Sequence, residues 1–213
     1  MRTTALVITG GGRVRAPLPD GLDDVLVIAA DGGVAEAFRL GLHVDVLVGD
    51  MDSASPQEVA RAQAQGGRIE RYPADKDATD LELAMDHAVR EGATRIVVAG
   101  GDSGRLDHLL GNALVLASPT WASAEVEAVL GAARLVVVRG ERTIAGSPGD
   151  LLSLFAVGGT AHGVTTQGLR WALDDDDLPA ATSLGISNEF VGERATIRVR
   201  EGVVVAVQPG PER

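Results

Sequence analysis

Hydrophobic positions along the chain alternate between the period of strands and that of helices. Short apolar runs rich in Val and Ile, at Ala5 to Thr9, Val25 to Ala30, Val46 to Val48 and Arg95 to Ala99, have the length and composition of buried strands. Between them, Val34 to Leu40, Pro56 to Gln65 and Thr79 to Glu91 carry apolar residues at helical spacing. Strands alternating with helices predict a mostly parallel sheet with helices on its faces. Arg105 to Ala117 reads as a further helix, whose Leu106, Leu109, Leu110, Ala113, Leu114 and Ala117 predict one buried face, with Arg105, His108 and Asn112 on the other.

After Ser118-Pro119 the pattern shortens. A helix-like piece over Ala122 to Leu130 leads into Arg134 to Arg139, and then come runs such as Leu151 to Val157, Ala195 to Val199 and Val203 to Val207, punctuated by Gly and Pro. The expectation is an α/β domain over 1–133 followed by an all-β sandwich over 134–213.

Composition narrows the function. The absence of cysteine excludes disulfides, thiolate metal sites and thiol catalysis. A net charge of −11 with two Trp, one Tyr and three Phe argues against nucleic acid, which calls for a basic face and stacking platforms, and against an anionic membrane surface. No apolar run reaches the roughly 18 residues that span a bilayer, and the short apolar start reads as a strand and not a leader. The cytoplasm is the expected location. The acidic tract Asp174 to Asp177 reads as a solvated turn.

Ligands of open parallel sheets bind beyond the carboxyl ends of the strands. Four of those ends carry glycine, acid or both: Gly10-Gly11-Gly12, Asp31-Gly32-Gly33, Gly49-Asp50-Met51-Asp52-Ser53 and Gly100-Gly101-Asp102-Ser103-Gly104-Arg105. Glycines let backbone N–H groups approach a phosphate, and Asp50 with Asp52 could converge on a hard cation such as Mg²⁺. Thr79 and Glu82 form a capping box, with Asp80 in the first turn. Lys76, the only lysine, stands either against a nucleotide phosphate or in a surface pair with Asp75 and Asp77. Arg105 at a helix start makes electrostatic sense beside a bound anion, which His108 one turn on could also reach. There is no G-x-x-x-x-G-K-[ST] loop, no complete dinucleotide fingerprint, no G-x-S-x-G turn, and His43, His87, His108 and His162 lack ligand spacing.

Taken in order, these motifs resemble the thiamine pyrophosphokinase family. The resemblance runs through Asp31-Gly32-Gly33, Gly49 to Ser53, Asp75 to Glu82 and Gly104-Arg105-Leu106-Asp107-His108 with Asn112, then Gly163 to Trp171 and Ser187-Asn188-Glu189-Phe190. It implies an N-terminal catalytic domain, a C-terminal β-sandwich that helps bind thiamine, and a homodimer with active sites between subunits. It implies transfer of the terminal pyrophosphate of ATP to thiamine with release of AMP. Asp50, Asp52 and Asp80 would then hold Mg²⁺ and, with Arg105, form the catalytic set. Asp31, Gly32, Gly33, Lys76, Asp77, Thr79, Ser103, Gly104, Arg105, Asp107 and His108 would surround the nucleotide. Trp171, Ser187 and Asn188 would face the thiamine, whose cationic ring suits an aromatic face. One departure stands out: Ser103-Gly104 precedes Arg105 where family members often carry two glycines. Two other readings remain at this point, a pyrophosphokinase for another hydroxyalkyl heterocycle such as a hydroxymethylpterin, and a non-catalytic nucleotide or thiamine sensor.

Overall fold

The computed structural model describes residues 3–103 and 105–210, so Gly104 of the fourth turn lies outside the described residues. The chain divides into two compact units, residues 1–132 and 133–213.

In the first unit the strands are β1 (Thr4–Ile8), β2 (Leu26–Ala30), β3 (Val46–Gly49), β4 (Arg68–Arg71), β5 (Arg95–Gly100) and β6 (Glu125–Leu130). They pair in the order β6-β5-β1-β2-β3-β4, every pair parallel. The helices are α1 (Gly33–Arg39), α2 (Pro56–Ala64), α3 (Asp80–Arg90) and α4 (Leu106–Val115). Strand residues alternate between two buried faces. Leu6, Ile8, Val27, Ala29 and Leu47 pack with Val34 and Ala37 of α1 and Val59 and Ala62 of α2. The alternate positions, among them Val7, Ile28 and Val46, are equally buried, and α3 lies against β1, β2 and β3 with Leu81, Ala84, Met85 and Ala88 buried.

Local chemistry sets the helix starts. Ser55 caps α2 with Glu58 answering, and Pro56 occupies the first turn. Thr79 and Glu82 close the expected box on α3, Glu82 N donating to Thr79 Oγ1 at 3.2 Å and Thr79 N to Glu82 Oε2 at 3.1 Å.

Two readings of this unit are corrected. The Ala122 to Leu130 piece is not helical: a single turn of 3₁₀ helix at Pro119–Trp121 precedes strand β6. Val126, Ala128 and Leu130 alternate with Glu127 and Val129, and a strand deeply buried on both faces lacks the clean in-out alternation that marks a half-exposed one. The apolar stripe of α4 is not a buried face either, since Leu106, Leu110 and Leu114 are 77%, 58% and 49% exposed. Strand β4 escaped the pattern because Arg68-Ile69-Glu70-Arg71 is a charged sheet edge.

The second unit holds β7 (Ala133–Val138), β8 (Glu141–Ala145), β9 (Leu151–Ala156), β10 (Ala161–Gln167), β11 (Asp176–Leu178), β12 (Asn188–Glu189), β13 (Arg194–Arg198) and β14 (Val204–Gln208). Antiparallel pairing gives one layer β12-β9-β14-β7 and another β11-β10-β13-β8. Val136, Val138, Leu152, Leu154, Val204 and Ala206 of the first meet Ile144, Val164, Ala195 and Ile197 of the second in one core, with Phe190 and Leu178. This is a β-sandwich. The tract Asp174 to Asp177 is exposed, with Asp175 paired to Arg200 and Asp177 to His162.

Candidate active site

The acidic turns meet at the carboxyl ends of β2 and β3. Asp31, Asp50 and Asp52 each offer a carboxylate oxygen within 4.8 Å of the others. Asp31 is buried in a left-handed conformation (φ 41°), and its two oxygens accept from Ser53 N (3.1 Å) and Ala54 N (3.3 Å), which ties the turn after β2 to the turn after β3. Asp50 Oδ1 accepts from Asp52 N at 3.2 Å, and Ser53 Oγ donates to Asp52 Oδ1 at 2.8 Å. Gly49, at φ 145°, is what lets these groups close in: a Cβ there would lie 2.9 Å from Asp31 Cβ and 3.0 Å from Asp80 Oδ1. Gly49 stands in one of the four turns expected to carry the site, and a glycine at a strand end just before an acid is a sign of close approach.

Lys76 does not pair with its neighbours Asp75 and Asp77, which are exposed. Its Nζ lies 3.3 Å from Asp50 Oδ2 and 3.0 Å from Asp80 Oδ1, joining the segment before α3 to the turn after β3. The approach to Asp80 is an ion pair without hydrogen-bond geometry, so that buried oxygen has no hydrogen-bond donor among the described residues. Burial raises the Asp80 carboxyl above its ordinary value; Lys76 opposes this, while Asp50 and Asp31 add to it. Asp50 is held low, first by the Asp52 N–H and then, against its own desolvation, by Lys76. Desolvation works against the charge on Lys76, yet Asp80 and Asp50 together keep its pKa raised.

Two carboxylates, of Asp50 and Asp80, converge on Lys76, and a buried oxygen of Asp80 lacks a hydrogen-bond donor among the described residues. Such a set of hard oxygen donors fits Mg²⁺. Asp31 joins Asp50 and Asp52 in it, with Asp80 alongside through Lys76.

The glycine turns after β1 and β5 meet elsewhere on the same sheet edge, where the chain order reverses between those two strands. Gly101 N donates to Gly10 O at 3.1 Å, and Gly11 O accepts from both Ser103 N (2.9 Å) and Ser103 Oγ (2.6 Å). The Ser103 hydroxyl is thus spent on the neighbouring turn. Arg105 occupies the position before the first turn of α4 without capping it and is exposed, its guanidinium paired with Asp107 through Nε to Oδ1 (3.1 Å) and Nη2 to Oδ2 (2.5 Å). That pairing lowers the Asp107 carboxyl to about 2. His108 is exposed on the same turn, and Asp77 and the cap Thr79, which precede α3, are exposed as well. Gly33 is buried where α1 begins, a Cβ there colliding with Ile8 O, and Gly32 stands beside Ser53.

In the second unit Trp171 is 54% exposed and therefore not a core residue. The Arg170 guanidinium lies 4.9 Å from its ring centroid. Asn188 is buried, and its amide is used on the Trp171 backbone: Oδ1 accepts from Trp171 N (3.0 Å) and Nδ2 donates to Trp171 O (2.7 Å). Asn188 holds the tryptophan in place and does not itself present a free amide. Ser187 is exposed at φ 57°, its N–H bonded to Ser153 Oγ at 3.0 Å.

Comparison with known proteins bears directly on this arrangement. A family described as thiamin pyrophosphokinase, catalytic domain, matches residues 23–130, and one described as thiamin pyrophosphokinase, vitamin B1 binding domain, matches residues 141–204. The chain belongs to the thiamin pyrophosphokinase family. The thiamine pyrophosphokinase of Bacillus subtilis (strain 168) is 26% identical over 209 residues, covering 96% of this chain and 98% of that protein. A crystal structure of thiamine pyrophosphokinase from Bacillus subtilis superposes with a TM-score of 0.81 at 24% identity, over 98% of this chain and all of that one. The thiamin pyrophosphokinase of Geobacillus thermodenitrificans gives a TM-score of 0.76 at 28% identity, covering 98% of each chain. The fold class read from the pattern, a mostly parallel α/β domain followed by an antiparallel β domain, is the fold of these relatives.

Proposed function

We propose that this chain transfers the diphosphoryl group of ATP to the hydroxyl of thiamine, giving thiamine diphosphate and AMP. The observation that carries this reading is the pairing, in one chain, of the catalytic-domain match over 23–130 with the vitamin B1 binding-domain match over 141–204. The second match disfavours a pterin as acceptor. A sensor has no use for the converging carboxylates and Lys76, and that reading falls with them.

The thiamine hydroxyl oxygen attacks the β-phosphorus, the bond from that phosphorus to the oxygen bridging the α-phosphorus breaks, and AMP departs with that oxygen. The hydroxyl proton passes to a carboxylate of the Asp50, Asp52 and Asp80 group. Those three residues, joined by Asp31, would hold Mg²⁺, which when bound supplies charge neutralisation for the phosphoryl oxygens. Lys76 adds a fixed positive charge beside them, and positioning with charge neutralisation is most of what phosphoryl transfer requires. The glycine turns after β1 and β5, together with Gly32, Gly33, Asp77, Thr79, Arg105, Asp107 and His108, form the nucleotide side. Arg105 reaches a phosphate by leaving Asp107. Trp171 offers its exposed face to the cationic thiazolium, steadied by Asn188, with the exposed Ser187 next to Asn188 in the chain.

The enzyme acts as a homodimer in the cytoplasm, where ATP and Mg²⁺ are plentiful. The dimer is supported by the exposed leucine stripe of α4, which a single chain leaves in water. No helix among the described residues is long and apolar enough to cross a membrane. The deciding experiment incubates the purified protein with Mg·ATP and thiamine. AMP with thiamine diphosphate is expected; ADP with thiamine monophosphate, or no product, overturns the assignment.

A further inference from the structure

The segment after β1 carries three glycines beyond Thr9, two of them, Gly11 and Gly12, at positive φ (89° and 104°). Glycine-rich backbone loses much conformational freedom when ordered, so a phosphate-binding turn built from it works well only if something else holds its shape. Beyond the glycines the segment is fastened by its backbone. Val14 N donates to Glu36 Oε1 at 2.7 Å, and Arg15 N and Ala16 N donate to Gly131 O at 2.8 and 3.0 Å. The Arg15 side chain then returns across the sheet edge. Its Nη1 and Nη2 donate to Asp102 Oδ1 (2.9 Å) and Oδ2 (2.5 Å), a two-point pair between residues 87 apart in sequence. Asp102 sits between Gly101, bonded to Gly10, and Ser103, bonded to Gly11.

We infer that Arg15 and Asp102 form a clamp that positions the two glycine turns for the nucleotide, neither being a ligand of it; this rests on the activity proposed above. Two-point geometry fixes orientation as well as distance. It also settles a charge problem, because an unpaired carboxylate beside a phosphate site repels the ligand, and Arg15 offsets it. Arg15 has both of its terminal nitrogens engaged by Asp102, which leaves it poorly placed to bind a phosphate itself.

The test compares Arg15→Gln, Asp102→Asn and the swap Arg15→Asp with Asp102→Arg, using the full chain with Mg·ATP and thiamine. Because a partly exposed pair contributes modestly, each single variant is expected to raise the KM for ATP by about threefold to tenfold, leaving the thiamine KM and the thermal midpoint unchanged. The swap is expected to recover most of the ATP KM. If Arg15 were a phosphate ligand, Asp102→Asn would release it and leave or lower the ATP KM, which overturns the clamp. A wild-type ATP KM in both single variants, or an equal rise in both substrates' KM with lost thermal stability, overturns it too. Failure of the wild-type protein to form thiamine diphosphate is a separate result and bears on the activity itself.

Discussion

At Gly49 a single hydrogen in place of a methyl group decides whether the carboxylates can meet. Gly49→Ala places a Cβ against Asp31 and Asp80 at a φ of 145° that L side chains rarely adopt. The expected cost is about 1–3 kcal/mol of stability, read as a shift of the urea midpoint, with a fall in turnover as the two acids are pushed apart. Asp52 behaves differently because it is exposed and its hydrogen bond is to its neighbour Ser53. Asp52→Asn should keep the thermal midpoint and lower kcat about a hundredfold or more, the scale of losing one charge-stabilising group at a reacting centre. Full turnover by this variant would remove Asp52 from the proposed Mg²⁺ set. The contrast shows what sequence could reveal at this scale. Asp50 and Asp52 are visible by spacing alone, whereas the link from Lys76 to Asp50, 26 residues away, depends on how β3 and α3 are placed. Ser103 was legible as a departure, but not that its hydroxyl turns toward Gly11.

Among the elements, α1 carries an ion pair whose stability contribution depends on pH. Glu36 is buried, and both its oxygens face Arg39, at 2.6 Å from Nε and 2.6 Å from Nη2, while Oε1 also takes the Val14 N–H. Arg39 lowers the Glu36 carboxyl below its ordinary 4.5, burial opposes, and the Val14 bond adds to the lowering. A carboxyl lowered in the folded state contributes its full stability above its unfolded value, and the contribution fades as pH falls through the folded value. Glu36→Gln should therefore destabilise by about 1–3 kcal/mol at pH 7, and urea titrations should show the gap to wild type closing below about pH 4. A gap that stayed constant to pH 3 would mean that the charge on Glu36 contributes nothing. Elements differed in how well they could be read. Helices α2 and α3 announce themselves by Ser55-Pro56 and by Thr79 with Glu82. Strand β6 hides because burial on both faces removes its alternation, and β11 and β12 are two or three residues long, too short to show any period.

For the molecule as a whole, the net charge of −11 is not an even coat, since Asp31, Asp50, Asp52, Asp75, Asp77 and Asp80 belong to neighbouring turns, in which the one lysine pairs with Asp50 and Asp80. Both proposed partners of that region, Mg²⁺ and a cationic acceptor, carry the charge that relieves it. The other global property is the stripe on α4, where Leu106, Leu110 and Leu114 recur every four residues and stand in water. Covering three leucines stabilises an association by about 1.5–3 kcal/mol for each that is fully buried, enough to matter to a dimer and irrelevant to the fold of one chain. Leu110→Glu separates the two. Because Leu110 is 58% exposed in the single chain, the substitution should leave intrinsic folding close to wild type. If the stripe faces a second copy, it would bury an unpaired charge at the contact, which costs several kcal/mol. Sedimentation equilibrium is then expected to move the protein from dimer to monomer, while Gln57→Glu on the exposed side of α2 leaves the dimer intact. A Leu110→Glu protein that still sediments as a dimer would place the contact on another surface and leave the α4 leucines without a partner.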